Sequence, residues 1–427
     1  MAKGEAEPVA ERLVVIGQGY VGLPLSMRAC EQGFDVVGLD SNPSRVKQLL
    51  HGESFVEDVP DERVARALDS GRYLPTSETD DLAGFDIAVI SVPTPLRDGN
   101  PDLSHIEDAA KAVAAHLRPG ACVVLESTTY PGTTEELVAP ILEERSGLVA
   151  GTSFSLGYSP ERIDPGNATW TFETTPKVVS GVSPSCLDRI SRFYGQLVDR
   201  VVPVRSPKEA ELTKLLENTF RHVNIALVNE LAMFANDLGI DIWDAIDAAS
   251  TKPFGYMRFT PGPGVGGHCL PIDPSYLSWR VRRPLGHPFR FVELANDVNA
   301  HMPDYVVRRS VALLNDRELS VKGRRILLLG LAYKKNTGDD RESPSSPIAS
   351  QLAARGADVV ATDPHVDPRR SHSGVGQVEL SAEEVAAADL VVLLVDHDAF
   401  DLDVVQRHAV QILDTRRRLT GANVEHL

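Results

Sequence analysis

Short apolar runs alternate with polar, glycine-marked breaks through the first part of the chain: Leu13-Val-Val-Ile16, Phe34-Asp-Val-Val-Gly-Leu39, Phe85-Asp-Ile-Ala-Val-Ile90 and Ala121-Cys-Val-Val-Leu125. Runs of this length, rich in branched residues, predict strands of a parallel sheet buried on both faces. Phe154-Ser-Leu-Gly-Tyr158 reads as a further strand that ends in Ser159-Pro160-Glu161-Arg162. From Glu211 the period lengthens. Leu212, Leu215, Leu216, Phe220, Val223, Leu227, Leu231 and Phe234 share one side of a helical wheel, with Lys214, Asn218 and Arg221 opposite them. A second helical stretch includes Phe291-Val-Glu-Leu-Ala-Asn-Asp-Val-Asn299, after which the strand pattern returns at Ile326-Leu-Leu-Leu329, Ala357-Asp-Val-Val-Ala-Thr-Asp363, Leu390-Val-Val-Leu-Leu-Val-Asp396 and Val410-Gln-Ile-Leu-Asp414. The expected architecture is α/β. Two Rossmann-like doubly wound domains, 1–207 and 319–427, are joined by a central helical region, 208–318, which contains the long helix and offers a dimerisation surface.

Composition narrows the class of function. The 427 residues carry a formal net charge of −17, which argues against general binding to nucleic acid or a membrane surface while leaving room for a local basic pocket. No apolar run approaches the roughly 20 residues of a membrane span, and the polar, acidic start does not read as a signal peptide. With four cysteines and no paired close spacing, a reducing compartment is expected and a metal site is not. The expected setting is the cytoplasm, and the expected partners are small molecules and further copies of the chain, as a homodimer or higher homo-oligomer.

The first strand runs into Gly17-Gln-Gly19-Tyr20-Val21-Gly22 and then a helix, and the second strand ends on Asp40. In this βαβ arrangement Gly17 makes the turn, Gly19 admits a pyrophosphate and Gly22 lets helix and strand pack. Tyr20 and Val21 belong to the same turn. Asp40 receives ribose hydroxyls and repels a 2′-phosphate, so NAD is the expected cofactor. Arg45 is placed to meet a cofactor phosphate or to cover the adenine, with a solvated helix-start arginine as the plain alternative. Thr94 and Thr129 follow the third and fourth strands, beyond whose carboxyl ends ligands of open α/β sheets bind.

The stretch Pro261-Gly-Pro-Gly-Val-Gly266-Gly-His-Cys269-Leu-Pro-Ile-Asp273 delivers one thiol from a glycine-crowded loop, where a bare backbone can wrap a ligand closely. Cys30, Cys122 and Cys186 lie in apolar runs or at a helix start and read as small core residues. An alcohol dehydrogenation needs no thiol. Oxidation past the aldehyde does, because a thiol adds to the carbonyl, holds it for a second hydride loss and leaves a thioester for water. Lys214 and Asn218 are suited to stabilise the developing oxyanion. Asp273 and Glu161 are suited to position or deprotonate water, assisted by Thr129. In the C-terminal half the glycine motif gives way to Ala332-Tyr333-Lys334-Lys335, where lysine meets phosphate as a point charge. Arg341 and Arg416 are further candidate anion contacts, and that half is expected to hold a different phosphorylated ligand.

Over nearly its whole length the chain resembles the UDP-glucose/GDP-mannose dehydrogenase family. The likeness rests on Gly17-Gln-Gly-Tyr-Val-Gly-Leu-Pro-Leu25, Ser159-Pro-Glu-Arg162, Ala210-Glu-Leu-Thr-Lys214-Leu-Leu-Glu-Asn218-Thr-Phe-Arg221, Gly266-Gly-His-Cys269-Leu-Pro-Ile-Asp273 and Leu331-Ala-Tyr-Lys-Lys-Asn-Thr-Gly-Asp-Asp-Arg341-Glu-Ser343. The resemblance implies a two-step, NAD-dependent oxidation of the C6 alcohol of a nucleotide sugar to a uronic acid. It carries the nucleophile onto Cys269, the lysine onto Lys214, the asparagine onto Asn218, the water-handling carboxylate onto Asp273 and further active-site roles onto Thr129 and Glu161. The sugar-nucleotide phosphate lysine falls on Lys334, and the arginine that reaches NAD falls on Arg341. Arg162, Gly266, Tyr333 and Arg416 join the expected substrate contacts, and Arg258 is a candidate to reach a neighbouring subunit's sugar site. Ser159-Pro-Glu-Arg-Ile-Asp-Pro-Gly166 and Pro271-Ile-Asp-Pro274 look like the branch acting on UDP-N-acetylhexosamines. UDP-N-acetylglucosamine is the expected substrate, with UDP-N-acetylmannosamine or UDP-glucose as alternatives and a non-catalytic nucleotide-sugar binder as the reading from another class.

Overall fold

The computed structural model describes residues 11–97, 100–163, 167, 169–267, 270, 273–369, 371 and 374–427. They form two compact units, one ending at Glu217 and the other beginning at Asn218.

In the first unit six parallel strands, β1 (Arg12–Ile16), β2 (Asp35–Leu39), β3 (Tyr73–Thr76), β4 (Ile87–Ile90), β5 (Cys122–Leu125) and β6 (Ser155–Tyr158), lie in the order β3-β2-β1-β4-β5-β6. This is the doubly wound order, with the topological switch between β1 and β4. Alternate residues of β1 serve opposite faces. Leu13 and Val15 pack into one core layer, Val14 and Ile16 into the other, which is why the strand is apolar at every position. Gly17 closes the turn after β1 at φ +93°, its N–H bonded to Leu39 O at 2.8 Å, and helix α1 (Gly22–Glu31) follows.

The second unit repeats the plan. Strands β7 (Arg325–Leu329), β8 (Asp358–Thr362), β9 (Gly376–Gln377), β10 (Leu390–Leu393), β11 (Ile412–Asp414) and β12 (Val424–His426) are parallel, in the order β9-β8-β7-β10-β11-β12. Gly330 has φ +94° and bonds Thr362 O at 2.9 Å, the counterpart of Gly17. The helical middle folds with this half: Met302, Tyr305 and Val306 share a core with Ile326 and Leu328, and the Trp243 indole N–H donates to Leu427 O at 3.2 Å.

The long helix α2 (Pro207–Asp237) has 31 residues. Proline at its first position and an interior without glycine allow that length. It ends where Gly239 takes φ +67° and Ile240 N returns to Ala235 O at 2.8 Å. Its buried side runs through Glu211, Leu215, Thr219, His222, Ala226 and Asn229. Most of the apolar side marked by the periodicity lies elsewhere: Leu212, Leu216, Phe220, Leu227, Leu231 and Phe234 are all exposed. At roughly 100° per residue the two rows are about a third of a turn apart, so the chain packs α2 through a mixed polar seam and leaves its leucines outward. In that seam His222 Nε2 meets Asn296 Oδ1 at 2.8 Å, and Asn229 Nδ2 donates to Asn299 Oδ1 at 2.9 Å from helix α4 (Arg290–Asn315).

Candidate active site

The three glycines of the first turn divide by what surrounds them. A Cβ on Gly22 would lie 1.8 Å from Gly17 O, and one on Gly17 would lie 2.7 Å from Ser91 O, so internal packing excludes both. A Cβ on Gly19 would meet nothing within 4 Å. Packing does not demand that glycine. Open space beside a helix N-terminus is what an approaching pyrophosphate requires. Asp40, nearly buried, accepts from Gln18 N at 3.1 Å and Asn42 N at 2.9 Å, while Arg45 stands 3.8 Å from it and over the Phe55 ring at 5.1 Å. Tyr20 is exposed and Val21 half-buried at the start of α1, and Thr94 is buried beyond β4. These residues fit NAD: an acid at the end of β2, an open glycine between them and a cation beside the acid.

In the second half the equivalent acid is spent on the fold. Asp363 accepts from Leu331 N at 2.7 Å, Ala332 N at 3.0 Å and His397 Nε2 at 3.1 Å with one oxygen, and from His365 N at 2.8 Å with the other. Although burial alone would raise it, His397 and these amides hold the Asp363 carboxyl well below the usual carboxylate range. His397 Nδ1 accepts from Asn336 N at 2.9 Å, so its proton sits on Nε2 and points at Asp363. Two successive turn amides are thus occupied here, where Asp40 takes only one. The loop that follows carries Tyr333 and Lys334, both half-buried, while Lys335 pairs with Asp398 at 2.6 Å.

Around the end of β6, three expected site residues come together within the first unit. Lys214 Nζ donates to the main-chain oxygen of Glu161 at 2.7 Å. The Glu161 carboxylate accepts from Arg162 N at 2.5 Å, Ile163 N at 2.7 Å and Lys177 Nζ at 2.8 Å. Burial would raise it, but the Lys177 charge and these donors hold it below the usual range, so it stays ionised and is a weak base. Arg162, expected on substrate, spends its fork on Glu217, at 2.6 and 3.2 Å, and on Pro176 O at 2.7 Å, fastening the Ser-Pro-Glu-Arg turn to α2. Thr129 is fully buried, with its Oγ1 2.6 Å from Thr133 Oγ1.

Lys177 was not singled out from the sequence. It is 3% exposed and stands 2.8 Å from both Glu126 Oε1 and Glu161 Oε2, with Tyr194 Oη donating to Glu126 at 2.6 Å. Burial raises Glu126 despite Lys177, whereas Lys177, flanked by two carboxylates, stays protonated against its own burial. A lysine opening the apolar run Lys177-Val-Val179, with Glu126 closing Cys-Val-Val-Leu, was the available signal: charges inside strands need one another.

In the second unit Asn218 Nδ2 donates to Asp273 Oδ2 at 2.5 Å. Asp273 is 3% exposed and opens helix α3 (Asp273–Leu285), where the free amides of the first turn favour a carboxylate. Cys269, with His268, Pro271 and Ile272, lies outside the described residues. The loop leading to it leans on the C-terminal half. A Cβ on Gly266 would lie 2.6 Å from Glu342 O, and one on Gly267, at φ +84°, 2.7 Å from the Tyr333 ring. Arg416 Nε donates to Leu394 O at 2.7 Å, and its terminal nitrogens make no hydrogen bond among the described residues. Burial lowers its pKa, and Asp396 and Asp414 oppose this. Arg341 makes a two-pronged pair with Asp339 at 2.8 and 2.6 Å. Arg258 and Arg417 both bind Asp247, at 2.5 and 2.6 Å, which orders the Arg258 loop within the chain. Cys30, Cys122 and Cys186 are buried, and burial pushes the first two thiols up to about 12. No group of residues able to hold a metal ion occurs among the described residues, nor does a helix long and apolar enough to cross a membrane.

Comparison with known proteins agrees along most of the chain. Residues 11–198 match the NAD binding domain of the UDP-glucose/GDP-mannose dehydrogenase family, 208–301 its central domain and 327–421 its UDP binding domain. The UDP-N-acetyl-D-mannosamine dehydrogenase of Pyrococcus horikoshii is 35% identical over 91% of this chain and 90% of its own length. The UDP-N-acetyl-D-glucosamine 6-dehydrogenase of Pseudomonas aeruginosa is also 35% identical, over 91% of each chain. The solved structure of the Pyrococcus horikoshii enzyme superposes with a TM-score of 0.88 at 32% identity, covering 97% of this chain and 98% of that one.

Proposed function

The chain belongs to the UDP-glucose/GDP-mannose dehydrogenase family, and on that premise we propose that it oxidises the C6 alcohol of UDP-N-acetylglucosamine to the carboxylate through a covalent adduct on Cys269. At the coarser level it is an NAD-dependent nucleotide-sugar dehydrogenase of the UDP-N-acetylhexosamine branch. The observation that carries the reading is on α2. Lys214 and Asn218, one turn apart, are tied respectively to the Glu161 turn and to Asp273, which lies four residues past Cys269.

When bound, NAD supplies the acceptor for both oxidations. Overall, one alcohol, one water and two NAD yield one carboxylate, two NADH and three protons. After the first oxidation the Cys269 sulfur adds to the C6 aldehyde, and Lys214 and the Asn218 amide stabilise the oxygen that takes on charge. The second oxidation leaves a thioester. Asp273, aimed by Asn218, takes a proton from the water that attacks it, and the carboxylate departs as the thiol is regenerated. Glu161, kept ionised by Lys177, orients Lys214 through its main-chain oxygen. Lys334 and Arg416 meet the diphosphate of the nucleotide, with Tyr333 and Gly266 shaping the adjoining wall. Arg341 is assigned to NAD, and Arg258 to a sugar site completed by a second subunit. The exposed leucine row of α2 is the surface on which a homodimer would close.

UDP-N-acetylmannosamine is the second reading, favoured by the equal identity to a relative that bears that name. Purified protein assayed with NAD on UDP-N-acetylglucosamine, UDP-N-acetylmannosamine and UDP-glucose separates them. The expected result is two NADH per acid formed, fastest on the first sugar. One NADH per sugar with free aldehyde would remove the thioester route, and no NAD reduction with any of them would leave a nucleotide-sugar binder. Cys269→Ser should abolish acid formation in the same assay.

A further inference from the structure

Glu211 has no part in the chemistry above, yet it is a fully buried carboxylate three residues before Lys214. Three donors converge on it from a segment far away in sequence. Gly132 N reaches Oε2 at 2.5 Å, while Thr134 N and Thr134 Oγ1 reach Oε1 at 2.9 and 2.7 Å. The two amides open the helical stretch that begins at Thr134, where first-turn N–H groups have no partner of their own, and a carboxylate answers both the amides and the dipole. In the preceding turn Gly132 holds φ +105°, in the left-handed region that favours glycine. Outside it, Lys208 pairs with Glu135 at 3.2 Å and Glu136 at 3.5 Å, a second tie between α2 and the same segment.

Thr129 immediately precedes this turn, and its hydroxyl is bonded to it. Thr133 Oγ1 donates its single proton to Tyr130 O at 2.8 Å. The 2.6 Å contact between the Thr129 and Thr133 hydroxyls then ties Thr129 to the same turn, whose Tyr130 O also accepts from Thr133 N at 3.2 Å. The fully buried Thr129 hydroxyl is thereby fixed relative to the turn that Glu211 holds.

We propose that Glu211 is a positioning residue for catalysis: it clasps the Tyr130–Thr134 turn to the helix bearing Lys214 and thereby fixes the Thr129 hydroxyl. The proposal rests on the active-site reading of Thr129 and Lys214 given above. Its chemical reason is donor count. Three donors on two carboxylate oxygens leave no place for the N–H2 of an amide, so Glu211→Gln sets donor against donor and loosens the turn without changing size.

The test is a double-mutant cycle on the full chain with the best UDP-sugar and NAD, together with amide hydrogen exchange. Glu211→Gln should lower kcat at least about tenfold while KM for both substrates stays within about threefold, since misplacement by about 1 Å costs rate rather than affinity. Exchange should quicken in peptides spanning 128–138 and stay unchanged in those spanning 11–40. Combined with Thr129→Val, Glu211→Gln should add no more than about a twofold further loss, because both act through one hydroxyl. Losses that multiply, or a Glu211→Gln enzyme within about twofold of the parent, would overturn the proposal. If Glu211→Gln does not fold, Thr134→Val removes a single bond of the clasp and must show the same loss without additivity. Should the parent protein turn over no UDP-sugar, the functional reading fails on its own, and unchanged exchange at 128–138 in Glu211→Gln would still sink the clasp.

Discussion

Asn218 holds Asp273 by a hydrogen bond of 2.5 Å from Nδ2 to Oδ2, joining the middle of the long helix to the first residue of the helix after the cysteine loop. The amide can donate to the carboxylate whatever the pH, so the acid is oriented without being neutralised. Asp273→Asn keeps the shape and removes the base. Its acid-forming rate should fall about 100-fold or more, the usual worth of a positioned base, with UDP-sugar affinity little changed. Asn218→Asp places two carboxylates in contact, so one must hold a proton. The acidic limb of the kcat profile should then move to higher pH. A profile that coincides with the parent's would remove Asp273 from the water step.

Lys177 joins Glu126 and Glu161 in a buried cluster, and deleting the cation leaves two carboxylates facing each other out of water. Lys177→Met should cost about 3–5 kcal/mol in denaturant unfolding of the first unit. Adding Glu126→Gln should restore part of it, because one of the stranded charges is gone. If the single and double variants unfold alike, the cluster does not carry its charges as described.

Burial raises Glu211 from 4.5 to about 7, against the pull of the Gly132 and Thr134 donors and with Glu135 adding to the rise. A folded state that binds this proton more tightly than the unfolded chain gains stability from it fully below about pH 4.5 and loses it as pH rises through about 7. Glu211→Gln cannot titrate. The thermal midpoint of the parent minus that of the glutamine variant should therefore decline between about pH 5 and pH 8. A difference that is constant over that range would place Glu211 near its ordinary value.

Six large apolar side chains stand exposed on one side of α2, the surface on which the proposed homodimer would close. Leu216→Glu and Leu227→Glu, at 63% and 53% exposure in the single chain, should shift the protein from dimer or larger to monomer in light scattering. Neither should lower the melting temperature of the monomer, since neither side chain packs within it. A parent protein that is monomeric at micromolar concentration would contradict this.

Much of this molecule was legible in one dimension. A strand buried on both faces is apolar at every position, so Leu13-Val-Val-Ile16 and Ile326-Leu-Leu-Leu329 declared two doubly wound halves, and Gly17, Gly19, Gly22 and Asp40 declared NAD. Lys214, Asn218, Cys269 and Asp273 stood out as reactive groups at fixed spacings, and the fold brings Asn218 to Asp273. Other features depended on which segments the fold brings together. The wheel of α2 marked a leucine face, but packing chose the row through Glu211, His222 and Asn229, whose polar groups find partners on distant segments such as Gly132, Asn296 and Asn299. Arg162 looked like a ligand contact and became a clamp once Glu217 lay beside it, and Lys177 acquired meaning only between two carboxylates. Periodicity and motif are local and survive in the sequence. The partner of a buried charge is set by the fold, which alone decides whether a polar side chain is left for chemistry or consumed in holding the site together.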